Sequence, residues 1–119
     1  ALNDYGDSIR FGATTAAEDE PDLSKVHFSL ELFEAYTKGY LEAAGSALTP
    51  KEKEYLPWGA KLMTLECGMR FLTDYLEGDT YFRVTHPAHN LERCRTQFKL
   101  VADMEAHWAE MQAILKKYS

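Results

Sequence analysis

The sequence predicts an all-α fold in a single domain over residues 1–119, on three observations. Apolar residues recur at intervals of three and four over most of the chain, and helix start and stop signals flank those runs. With 119 residues, 45% of them hydrophobic, there is enough apolar surface for one core and too little for two.

Residues 1–12 carry Leu2, Tyr5, Ile9 and Phe11 around Gly6 and Gly12, the pattern of a short helix or entry turn with one contact face. So short a helix needs a partner, and the domain is expected to begin upstream of Ala1. Periodicity fails from Ala13 to Phe28, where Glu18, Asp19, Glu20 and Asp22 crowd Pro21, and a solvated loop is expected. These carboxylates lack the ligand alternation and the glycine of a calcium loop.

Ser29 is the expected N-cap of the next helix, with Phe28 as staple and Glu31 and Glu34 at its positive end. Leu30, Phe33, Tyr40, Leu41 and Ala44 line one side of it until Gly45 stops it. Thr49, Pro50 and Glu52 then supply a cap, a first-turn proline and the acid of a capping box.

Pro57 predicts a break or kink near Leu56. Beyond it Trp58, Leu62, Leu65, Met69, Leu72 and Leu76 form a stripe that Met63, Phe71 and Tyr75 widen, as expected of a central helix packed on two sides. Glu66 and Arg70, four apart, are placed to pair on it. Gly78 ends this helix, and Asp79 to His89 form an irregular connection. Asn90 is the expected cap of one last helix, whose stripe runs from Leu91 through Cys94, Phe98, Val101, Trp108 and Met111 to Leu115. A spacing near 3.5 allows a coiled coil, but Glu105 interrupts it and intramolecular packing is favoured.

A net charge of -6 and a pI near 5.2 argue against nucleic acid or an anionic membrane as partner. No apolar run reaches the roughly 20 residues that cross a bilayer. Cys67 and Cys94 sit in helical stretches and read as buried small hydrophobes ahead of a disulfide or reactive thiol, which fits a cytoplasmic location.

Signs of chemistry are sparse. His86 and His89 read first as hydrogen-bonding residues that pin the connection onto the last helix, then as a ligand-facing pair, and least as metal ligands. No glycine-rich phosphate cradle is encoded. Tyr5, Trp58, Tyr75, Tyr81 and Phe82 would line a groove for a sugar-like ligand or lie in the core. Asp7 suits backbone N–H groups of a neighbouring segment or a helix cap. Arg10 suits another carboxylate, a substrate oxygen or plain surface exposure.

Three stretches carry a resemblance: Asp4-Tyr5-Gly6-Asp7-Ser8-Ile9-Arg10-Phe11-Gly12, Phe71-Leu72-Thr73-Asp74-Tyr75-Leu76-Glu77-Gly78-Asp79, and His89-Asn90-Leu91-Glu92-Arg93-Cys94-Arg95-Thr96-Gln97. The chain resembles the C-terminal portion of the aminoglycoside phosphotransferase and choline kinase-like superfamily, nearest its N-acetylhexosamine 1-kinase-like branch. The resemblance implies the helical C-terminal lobe of a kinase-like fold, in an enzyme that passes a phosphoryl group from ATP, with Mg²⁺, to a hydroxyl of a hexosamine or other small alcohol. The family's His-x-Asp loop and metal-binding aspartate are not among these residues, and are expected in an upstream kinase-like lobe of the same protein. Asp7 then corresponds to a structural aspartate that braces the catalytic loop. Arg10, Tyr75, Asp79 and Tyr81 become candidates for the acceptor-side wall. No catalytic residue, metal ligand or bound cofactor is expected in this chain alone. The alternative is a helical protein–protein interaction module without catalytic activity, using the stripe from Leu91 to Leu115.

Overall fold

The computed structural model describes the backbone of residues 2–119 and the side chains from Asp4 onward, so the place of Leu2 in the first contact face lies outside the described side chains. Five helices follow in order: α1 (Leu2–Gly12), α2 (Leu30–Ala44), α3 (Pro50–Leu76), α4 (His89–Ala106) and α5 (Trp108–Tyr118). Among the described residues there is no strand, only one isolated antiparallel bridge between Thr14 and Phe28. The all-α expectation holds, and no helix among the described residues is long and apolar enough to cross a membrane.

The start signals work as read. Ser29 accepts from the Leu32 N–H at the head of α2, and Thr49 and Glu52 close a reciprocal capping box at the head of α3. Gly78, at φ 97°, turns the chain out of α3, and Asp79 follows at φ 61°. Gly45 acts differently from a left-handed cap: it stays right-handed and α2 tightens into a 3-10 turn, Gly45–Ala47.

Two expectations fail, and one alternative of a third is excluded. Of the break or kink expected at Pro57, the break is absent: α3 runs unbroken for 27 residues with Pro57 buried inside it. One missing rung, to the Lys53 carbonyl, is outweighed by packing along the rest of the helix. The last helix is two helices. His107, at φ -112° and ψ 21°, shares its N–H between the Asp103 and Met104 carbonyls, and the chain turns so that α5 lies against α2 and α3. Asn90 is not a cap but sits within the first turn of α4, its amide turned to Asp74 and Asp79.

As expected, α3 is central, packed by α1, α4 and α5. The side it buries is the surprise. Gly59, Ala60, Thr64, Gly68 and Phe71 face inward, while Trp58, Leu62, Met69 and Leu76 are exposed and Leu65 and Leu72 half-buried. Small residues on the inner side let neighbouring helices approach the α3 backbone, and the bulky stripe is displaced to the opposite side. The core comprises Tyr5 and Ile9 of α1, Phe33 and Leu41 of α2, Leu56 and Ala60 of α3, Leu100 and Met104 of α4, and Met111 and Leu115 of α5.

Candidate functional site

The acidic segment after α1 is not simply solvated. Arg10, 7% exposed, donates from Nη1 to Glu18 Oε2 at 2.5 Å and to Gln97 Oε1 at 3.4 Å, and from Nε to Asp7 Oδ1 at 3.2 Å. Its guanidinium also lies 4.0 Å from the centre of the Phe11 ring. The Glu20 carboxylate accepts from the Asp22 N–H, and Asp22 caps the 3-10 turn Leu23–Lys25 through the Ser24 N–H. A buried guanidinium needs its charge matched, and Glu18 draws this segment down to α1 and α4 to supply the match.

A second polar centre forms where α3, the connection and α4 meet. Asp74, 4% exposed, accepts from the Tyr81 N–H at 2.7 Å, the Phe82 N–H at 3.0 Å and the Asn90 amide at 2.7 Å. Burial pushes the Asp74 carboxyl up, but these donors outweigh it and hold its pKa below the ordinary carboxylate range. The Asn90 amide also donates to Asp79 Oδ1 at 3.1 Å, and its carbonyl accepts from Arg93 at 3.1 Å. Asp74 thus fixes the backbone at the start of the connection.

The histidines pin the connection, as their position suggested. His86 Nε2 meets the Glu92 carboxylate on α4. Buried His89 accepts the Thr85 N–H at Nδ1, 3.2 Å, so its neutral ring carries the proton at Nε2 and donates to Asp19 Oδ2 at 2.8 Å. That bond is the leading cause of the lowered Asp19 pKa. Because Asp19 adjoins Glu18, the segment 18–19 bridges the two polar centres.

The proposed site residues fall into two groups. Asp7 and Arg10 belong to the first centre; Asp7 is 51% exposed and Arg10 is turned inward to its own partners. Asp79 and Tyr81 belong to the second. Tyr81 is 73% exposed, stands edge-on to Phe82 at 4.9 Å, and overhangs an open cleft of roughly 320 Å³ lined also by Thr73, Glu77 and Arg70. Tyr75, half-buried, lies outside that lining. Asn90 and Gln97 anchor the two centres on α4, about 10 Å apart along its axis, so the candidates do not converge on one point.

The expected aromatic groove is not formed as a unit. Tyr5 is buried, its hydroxyl 2.7 Å from Thr37 Oγ1. Trp58 packs edge-on against Trp108 at 4.9 Å, leaving only Tyr81 and Phe82 at the cleft. Glu66 and Arg70 form no ion pair with each other among the described residues; Arg70 instead lies 5.9 Å from the Tyr81 ring centre. Both cysteines are free, Cys94 buried and Cys67 half-buried, and burial pushes both thiols up, away from a reactive thiolate.

Sequence reasoning missed Asp74, Glu18, Asp19 and Gln97 and misassigned Asn90. For Asp74 a signal existed: an aspartate inside an apolar helical run has to be satisfied by something nearby.

The Mg²⁺ implied by the resemblance does not fit the residues present. Among the described residues no group of three or more His, Cys, Asp or Glu converges, and Asp74 already serves three donors. No protein-family model matches the chain.

Proposed function

We propose that these residues form the helical, acceptor-side lobe of an ATP-dependent phosphotransferase that acts on a hydroxyl of a sugar or other small alcohol. In this reading they are the C-terminal part of a longer cytoplasmic protein. The observation that carries it is the coupling of the three resembling stretches through their own polar side chains: Arg10 of the first bonds Gln97 of the third, and Asp74 and Asp79 of the second bond Asn90 of the third. Residues far apart in sequence thus act as one frame.

Phosphoryl transfer depends on positioning and on neutralising charge at the transferring group. In this reading the donor nucleotide and metal are gripped by an upstream lobe, and this chain supplies the receiving wall. Asp74 sets the backbone from which Tyr81 overhangs the cleft, and the ring, Thr73 and Glu77 offer an apolar face, a hydroxyl and a carboxylate to a small polyhydroxylated acceptor. Arg10, held by Glu18, Asp7 and Gln97, supports the frame rather than the acceptor.

The complete gene product, incubated with Mg-ATP and a panel of hexosamines and small alcohols, is expected to yield a phosphorylated acceptor, and Tyr81→Ala to raise KM for that acceptor more than it lowers kcat. The 119-residue chain alone is expected to give no product. No transfer to any member of the panel, or an upstream coding region without a His-x-Asp loop, would sink the proposal.

A second reading, a helical interaction module, cannot use the stripe first assigned to it: Cys94, Val101, Met111 and Leu115 are buried. It is favoured instead by the exposed side of α3.

A further inference from the structure

The cleft beneath Tyr81 carries two unlike charges that the chain leaves unmatched. Arg70 and Glu77 stand about two turns and roughly 10 Å apart along α3, on the side that lines the cleft, with Thr73 between them. Both are exposed, and neither enters an ion pair among the described residues. The Arg70 guanidinium instead lies 5.9 Å from the centre of the Tyr81 ring, which sets its charge beside the ring that overhangs the cleft. Glu66, one turn before Arg70, is not part of this lining. The other carboxylate of the cleft is already engaged: Asp74 is buried and accepts from the Tyr81 and Phe82 N–H groups and the Asn90 amide. The Glu77 end is negative for a second reason. Helix α3 finishes there with no basic residue in its last turn, so its terminal carbonyls add to the carboxylate.

We infer that the cleft takes a small zwitterionic polyol, a sugar-like chain that carries an ammonium group and a carboxylate. The ammonium is set against Glu77 and the end of α3, the carboxylate against Arg70, and a hydroxyl against Thr73. An amine without the acid gains at Glu77 but leaves Arg70 unmatched, and an acid without the amine gains at Arg70 but meets the Glu77 carboxylate. A neutral sugar leaves both charges without a partner. Only a ligand of both signs gains at both ends. At roughly 320 Å³ the cleft lies at the small end of ligand sites, a match for a chain of about six carbons. This names the acceptor class for the cleft and rests on the phosphotransferase reading for what the ligand is used for, whereas the charge pattern is tested by binding alone.

D-Glucosaminate, D-gluconate, D-glucosaminitol and D-glucitol share one polyol skeleton and carry both charges, the acid only, the amine only and neither. Titrated into the chain near neutral pH and followed by the amide NMR shifts of Tyr81 and Phe82, glucosaminate is expected to bind about tenfold tighter than gluconate or glucosaminitol. Glu77→Gln should erase its advantage over gluconate, and Arg70→Gln its advantage over glucosaminitol. A merely structural role for either residue would weaken all four ligands alike. Equal binding of the four, uniform weakening by either variant, or no saturable shift with glucosaminate up to tens of millimolar would overturn the inference. Both variants are exposed polar changes, and unshifted Tyr81 and Phe82 amides before ligand is added show that the cleft is intact. Phosphorylation of a hexosamine by the complete gene product without this charge pattern would remove the inference and leave the phosphotransferase reading standing. The pattern without any transfer would do the reverse.

Discussion

Gly6 of α1 rests directly on the backbone of Gly59 in α3: a Cβ built on Gly6 would stand 2.4 Å from the Gly59 carbonyl oxygen and 2.9 Å from Met63 Cγ. On the same helix, a Cβ on Gly68 would stand 2.7 Å from the Phe98 ring of α4. Close approach on these two sides decides which face of α3 is turned inward.

Gly6→Ala is therefore expected to destabilise the chain. Alanine recovers up to about 1 kcal/mol of helix propensity, but a methyl driven against backbone has no flexible neighbour to displace, and overpacking costs about 1–3 kcal/mol or more. Gly39→Ala, in α2 with nothing within 4 Å of the added methyl, should stabilise by up to about 1 kcal/mol. Urea melts followed by circular dichroism give both signs, and a Gly6→Ala protein as stable as the parent would refute the close contact.

Phe71 and Met69, two residues apart, should respond oppositely to truncation. Phe71→Ala removes a ring that is 3% exposed and should cost about 3–5 kcal/mol. Met69→Ala, at a position 54% exposed, should change monomer stability by less than about 0.5 kcal/mol. Thermal melts of the two variants beside the parent would decide. The reverse order would mean that α3 presents its other side to the core.

Asp74 should contribute to acid sensitivity. Its folded pKa lies below the ordinary carboxylate value, so its contribution is complete above about pH 4. That contribution is lost as the pH falls through the depressed folded value. Asp74→Asn keeps one acceptor where Tyr81, Phe82 and Asn90 all donate, and should cost about 2–4 kcal/mol near neutral pH. Denaturation midpoints from pH 7 down to about pH 3 should fall less steeply in the variant. Parallel curves for the two proteins would remove Asp74 from this role.

Arg10→Met keeps the apolar stem and removes the donors to Glu18, Asp7 and Gln97. Glu18 retains 29% exposure and so is partly rescued by water, which puts the expected cost at about 1–3 kcal/mol. Combined with Glu18→Gln, the loss should be smaller than the sum of the single losses. Strict additivity would show that the pair is not coupled in solution.

How far the sequence is legible depends on whether the signal is local. The capping box at Thr49 and Glu52, the cap at Ser29 and the turn at Gly78 act over three or four residues, so the sequence by itself determined that the chain is helical and where most helices begin and end. It also marked α3 as central and His86 and His89 as pins. The turn at His107 carries no glycine or proline to announce it; it exists because α5 finds Trp58 for Trp108, and Glu34 for Lys117 and Tyr118. Apart from Asp7, one helical turn from Arg10, the partners of Arg10 and Asp74 lie 7 to 87 residues away, and no periodicity encodes such pairings. The two sides of α3 were likewise beyond a one-dimensional pattern, since both carry apolar residues. Tertiary packing alone chose between them, because burying small residues brings backbones closer and gains more contact than burying the larger stripe would allow.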